Sequence, residues 1–212
     1  MVRTFFTLLF LSIYLPIFSQ PQKEVFNTSA ITWYGLDFFH AKLIGSFAQF
    51  NDAGQKNADE IRDIYFPAWN RILIDEKDKY NLKKAFDKIS VAYDLETADK
   101  RNKAVKSDQI FLLKSTDKNR LTRDSISEIV KNYKTGKKGI GLVFVIDNFD
   151  KTASEGVMHV TFFDTSTGNA LIIQRMSGEP GGFGIKNYWA RTVYNVINKS
   201  RSAYKDWKKN YK

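Results

Sequence analysis

Residues 30–38, Ala-Ile-Thr-Trp-Tyr-Gly-Leu-Asp-Phe, gather β-branched and aromatic side chains behind the turn-forming Asn27-Thr28-Ser29, and they predict a strand. From Asn57 the apolar period lengthens. Ile61, Ile64, Tyr65, Trp69, Ile72 and Leu73 recur at helical spacing, with Pro67 as a kink or break. Leu82 and Phe86 mark a short helical turn, after which Ile89, Val91 and Tyr93 alternate with Ser90, Ala92 and Asp94 as a second strand does. Residues 97–120 are dense in Lys, Asp and Asn around one main apolar run at 110–113, and read as a surface excursion. At Ser125 and Glu128 the spacing is that of a capping box, opening a helix whose stripe is Ile126, Ile129, Val130 and Tyr133 and which Gly136 ends. Lys131 and Lys134 then sit where the helix dipole favours positive charge.

Residues 139–146, Gly-Ile-Gly-Leu-Val-Phe-Val-Ile, form a continuous apolar run too short for a helix, which predicts a strand covered on both faces and central in its sheet. Residues 157–164 and 169–174 flank Thr165-Ser166-Thr167-Gly168 and predict a hairpin. A glycine-rich loop, 178–184, leads into a long terminal helix marked by Tyr188, Trp189, Val193, Val196, Ile197, Tyr204 and Trp207. The expected order is β-α-β-α-β-β-β-α. This is an α/β fold bordering on α+β, with a single mixed sheet of about five strands flanked by helices.

The first nineteen residues change the setting. Arg3, an apolar run over 5–14, Pro16 and the pair Ile17 and Ser19 have the three-part pattern of a secretory signal peptide over 1–19, cleaved between Ser19 and Gln20. The run of about 15 apolar-rich residues is shorter than the roughly 20 that span a bilayer, so no transmembrane span is expected in the mature chain. Residues 20–212 then form a single domain, periplasmic or secreted. With no cysteine the chain has no thiol catalysis, no thiolate metal site and no lipid attachment through an N-terminal cysteine. The net charge of +10 favours anionic partners, and export turns that preference away from nucleic acid toward anionic lipid, cell-wall polymer or an acidic protein.

The chemistry on offer is sparse. His40 and His159 are the only histidines, and neither a nucleophile elbow nor a zinc-binding histidine pair is present. Asp147, Asn148 and Asp150 close the buried strand at its C-terminal end, where open α/β sheets place ligands, and with Asp164 they offer oxygen ligands to a hard cation, although Asp and Asn are also ordinary turn residues. The glycine-rich loop lacks the Lys-Ser/Thr of a P-loop and the position of a dinucleotide fingerprint. Trp33, Tyr34 and Trp69 offer stacking surfaces for sugars if exposed, and core packing if not. The terminal helix sets Lys199, Arg201, Lys205, Lys208, Lys209 and Lys212 opposite its apolar stripe, a pattern shared by helices docked on sheets and helices lying on anionic membranes.

Met158-His-Val-Thr-Phe-Phe-Asp-Thr-Ser-Thr-Gly-Asn-Ala-Leu, followed by a long helix, resembles the final hairpin of envelope α/β domains of the TolB N-terminal type. That group includes the periplasmic domains of curli secretion-channel lipoproteins and of penicillin-binding-protein activators. Asp164, Thr167 and Gly168 occupy the places of its turn, and the likeness extends by motif over roughly residues 140–209. The absent N-terminal cysteine and the Gly181-Gly182-Phe183-Gly184 segment depart from that pattern. The resemblance implies a non-catalytic binding or assembly module without a cofactor. The expected function is an exported envelope binding or adaptor domain, with metal-assisted hydrolysis through Asp147, Asp150 and Asp164 and glycan binding as alternatives. The surface expected to bind an envelope protein or an anionic cell-envelope polymer joins Gly181, Gly182, Phe183, Gly184, Asn187, Tyr188 and Trp189 to the strand end at Asp147 and Asp150.

Overall fold

The structure is a computed structural model that describes residues 21–47, 57–114 and 120–211. The signal-peptide segment, the cleavage point and Lys212 lie outside the described residues. A short helix α1 (Pro21–Asn27) leads into β1 (Ala30–Asp37) and, after four residues, β2 (Lys42–Ile44). Helix α2 (Ala58–Glu60) runs through a π turn at Ile61–Tyr65 into α3 (Phe66–Asp75), and α4 (Leu82–Ala85) precedes β3 (Ser90–Tyr93). Then come α5 (Glu96–Lys103), β4 (Phe111–Leu112), α6 (Arg123–Val130), β5 (Ile140–Asp150), β6 (Glu155–Asp164), β7 (Ala170–Gly178) and α7 (Gly184–Asn210).

The fold is mixed α/β, as the apolar patterning predicts. Strand β5 is buried along its whole length and is the axis of the sheet. One edge pairs antiparallel with β6, which pairs with β7. The other edge is shared by two strands in series: β1 lies parallel to residues 141–145 and β2 to residues 148–150. The next rank repeats the arrangement, β3 beside β1 and β4 beside β2, so half of the sheet is interrupted midway.

Two layers of side chains cover the sheet. On one face Trp33, Phe144, Met158, Val160 and Phe162 pack under α3, α4 and α7. On the other, Tyr34, Val143, Val145, Phe163 and Ile173 pack under Ile126, Ile129, Val130 and Tyr133. Tyr34 and Trp33 alternate across the strand and both are buried because both faces are covered. Among the described residues no helix is long and apolar enough to cross a membrane.

Several local expectations change. The capping box lies at Asn57 and Glu60, whose side chains and backbone N–H groups bond reciprocally, at 2.8 and 3.0 Å. Helix α6 instead starts one turn earlier than the Ser125 pattern, with Thr122 extended and its hydroxyl accepting from the Ser125 N–H at 3.2 Å. Pro67 does not end the helical run. It sits in the first turn of α3, where a missing N–H is harmless, and the π turn before it absorbs the change of register. Within 97–120, α5 is no surface excursion, because Ala98 and Asn102 are buried against the interrupted sheet.

Candidate functional site

The interruption of the sheet gathers a cluster of buried polar side chains, Asp37, Asn70, Asn102 and Asp147. Strand β1 bulges at Gly35, whose φ of +98° suits glycine and where a Cβ would lie 2.8 Å from Asn70 Oδ1. Asn70 from α3 accepts from the Leu36 N–H at 2.6 Å and donates to the Leu36 carbonyl at 3.1 Å. Asn102 from α5 donates to the same carbonyl at 2.9 Å and accepts from the Phe38 N–H at 2.7 Å. Two buried amides thereby replace the ladder partners that the missing strand segment would supply.

Asp37 ends β1 with its carboxylate wholly buried. Its Oδ2 accepts from Arg101 Nε at 2.8 Å and from the Tyr133 hydroxyl at 2.7 Å, and its Oδ1 accepts from the Phe39 N–H at 2.9 Å. Burial, reinforced by the Asp37 charge, raises the Tyr133 hydroxyl pKa well above that of a free phenol, so it remains a donor. The Arg101 guanidinium lies 4.7 Å from the Phe39 ring centre, a cation–π contact. Arg120, entering α6, donates to the His40 carbonyl and pairs with Asp147 at 3.6 Å. Burial chiefly lowers the His40 pKa, with Arg101, Arg120 and Lys42 adding to the effect against Asp37. Its imidazole is therefore neutral at neutral pH.

Above this cluster opens a cleft of about 560 Å³ between α5 and α6, lined by His40, Arg101, Arg120, Ser125, Glu128 and Asn132. Arg101 Nη2 is buried there without a hydrogen-bond partner. The cleft sits beyond the C-terminal end of a parallel strand, the location that open α/β sheets favour for ligands.

The residues expected to form a partner surface are divided. Asp147 is the extra residue of a bulge between Ile146 and Asn148, buried beside Arg120 under this cleft. Asp150 caps the β5–β6 turn, accepting from the Ala153 N–H at 2.9 Å. Around that turn Ala153 and Glu155 meet Glu179, Pro180, Tyr188 and Lys199 in a second cleft of about 530 Å³. Phe183 is 77% exposed on the adjoining glycine-rich loop, and Asn187 donates to its carbonyl at 3.1 Å. In that loop Gly182 has φ +103°, Gly184 φ +77°, and Gly181 donates to the Tyr188 carbonyl at 3.0 Å. Trp189 is not on this surface. With Ile185, Val193 and Val196 it forms the inward stripe of α7, and its ring stacks on Phe149 at 4.6 Å with 1° between planes.

The two alternative sites do not assemble. Asp164 accepts from Ser166 and Thr167 in the β6–β7 turn, at the opposite end of a ten-residue strand from Asp150, roughly 30 Å away. Among the described residues no three His, Asp or Glu side chains come together as metal ligands. Trp33, Tyr34 and Trp69 are buried and present no face to a sugar. The residues of the cleft were hidden in sequence for a simple reason: Arg101 and Asn102 lie in a segment whose polar composition masks the short helical period from Ala98.

His159 lies in mid-sheet opposite Val145 and Arg175, 3% exposed, with neither ring nitrogen hydrogen-bonded. Burial, with Arg175 and Arg123 nearby, lowers its pKa to about 4. Since the unfolded chain takes the proton near pH 6.5 and the fold resists it, stability is whole above that pH and falls as pH drops toward 4. The loss reaches about 3 kcal/mol. Urea midpoints measured from pH 7 to pH 4 fall accordingly in the wild type and much less in His159→Met.

The chain matches no family model and no curated protein.

Proposed function

We propose that the protein is a non-catalytic binding or adaptor domain of the cell envelope, which grips an acidic group of its partner in the cleft between α5 and α6. The observation that carries this reading is Arg101, a guanidinium anchored by Asp37 that lines the cleft wall. Arg120 and the neutral His40 add donors beside it, and guanidinium groups match carboxylates in geometry and charge. The carboxylates point the same way. Asp37, Asp150 and Asp164 are engaged in hydrogen bonds that hold the fold, so they serve structure before chemistry. The export pattern of residues 1–19 and the resemblance of the β6–β7 hairpin and α7 to TolB N-terminal-type domains support an envelope setting and a binding role.

Calorimetric titration with an oligoglutamate peptide tests the reading. Binding heat is expected with the wild type and with Phe183→Ala, and affinity falls at least about tenfold in Arg120→Gln. No heat from the wild type overturns the proposal. Loss in Phe183→Ala with none in Arg120→Gln also overturns it, moving the contact to the glycine-rich loop.

A further inference from the structure

A second feature of the surface is independent of that cleft. Strands β1, β3 and β5 begin, and β6 and α7 end, at one pole of the molecule, where α1 and the α6–β5 loop also lie. The positive charge gathers there. Lys137 and Lys138 are exposed beside the start of β5, and Lys205 and Lys209 are exposed on the last turns of α7. Lys23 and Lys208 flank Phe26 and Tyr211 in a groove of about 280 Å³ between α1 and α7. The two rings are 5.9 Å apart and tilted by 30°. Glu24, Asp87, Asp164 and Asp206 share this pole, but Asp206 pairs with Lys209 at 2.9 Å and Asp164 is held by its own turn. Beside α1 stands Ile89, 79% exposed. Its place is fixed by its N–H, which donates to the Ser29 carbonyl at 2.8 Å. It is fixed equally by Lys88, whose ammonium donates to the carbonyls of Val25 at 2.6 Å and Thr28 at 2.8 Å. The opposite pole carries mixed charge, with Glu155 and Glu179 beside Lys199.

We infer that this lysine-rich pole docks on an anionic lipid bilayer, the lysines meeting the headgroups while Ile89 and the Phe26–Tyr211 pair enter the interface. Lysines near an anionic leaflet are attracted within a Debye length, and interfacial binding grows with the apolar area that enters. The exposed isoleucine and the two rings favour a bilayer over a soluble polyanion, which offers them nothing apolar to enter.

The chain as its expression host exports it is sedimented with vesicles of phosphatidylcholine alone and of phosphatidylcholine mixed with phosphatidylglycerol, at low and high salt. Binding is expected only to the anionic vesicles and is weakened by salt. Each Lys→Gln substitution at Lys137, Lys138 or Lys205 lowers affinity about fivefold, since a lysine at such a surface is worth about 1 kcal/mol. Ile89→Ser weakens binding at both salt concentrations. All four positions are exposed, so the variants remain folded, as a urea midpoint confirms. Equal binding to both vesicle types, or unchanged binding by Lys137→Gln/Lys138→Gln, overturns the inference. Equally tight binding to a soluble polyanion that is indifferent to Ile89→Ser also overturns it, by assigning the pole to a polymer.

Discussion

Asp37→Ala is expected to destabilise the protein by about 3–5 kcal/mol, because it leaves a largely buried guanidinium without its counter-charge. Asp37 is fully buried and Arg101 only 14% exposed, so water is a poor substitute for the lost carboxylate. The Tyr133 hydroxyl and the Phe39 N–H lose their acceptor in the same step. These groups come from β1, α5, the turn after α6 and the loop into β2, so the loss is felt wherever the interrupted half-sheet is closed. Asp37→Asn keeps the shape and an acceptor oxygen, and loses less. Asp37→Leu/Arg101→Met recovers part of the stability of Asp37→Ala, because no orphaned charge remains and the two sites are coupled. Urea denaturation reads all four proteins. A loss below about 1 kcal/mol for Asp37→Ala would place this cluster among surface ion pairs, which are worth that little.

The same cluster shows where sequence reading succeeds and stops. The run at 139–146 identifies a central strand because a covered strand needs no alternation, and Asp164 to Gly168 identify a hairpin because the turn demands those residue types. Helix α7 is legible because its stripe recurs over 27 residues. By contrast β2 and β4 have three and two residues, too few for any period to register. They exist because β5 extends past β1 and its edge must be paired. The spacing of Ser125 and Glu128 points to a cap for α6 one turn later than Thr122, where the helix is capped. Burial of Leu121 and Ile126 decides the start by fixing how the chain enters the helix. As for the site, the arginines that line its cleft belong to a strand interruption that only long-range pairing creates. No local pattern around Asp37 announces that Arg101, Asn102 and Tyr133 converge on it and its neighbours, because each partner lies more than sixty residues away.

Trp189→Ala tests the division between core and surface at the other end of the molecule. Read as a surface aromatic next to the glycine-rich loop, Trp189 would cost binding alone when truncated. In the fold it is 0% exposed, stacked on Phe149 at 4.6 Å and on Phe47 at 5.7 Å, so truncation opens a cavity beneath α7. The expected loss is about 3–5 kcal/mol, the range for removing a buried large aromatic. Trp189→Phe keeps a ring against Phe149 and loses less, since the indole N–H has no hydrogen-bond partner to give up. Phe183→Ala, six residues earlier and 77% exposed, is expected to stay within about 0.5 kcal/mol of wild type, as substitutions outside the core do. Urea midpoints of the three variants separate the two roles. A near-wild-type midpoint for Trp189→Ala would mean that α7 does not press this ring into the core, and the stacking on Phe149 would lose its place in the account of the fold.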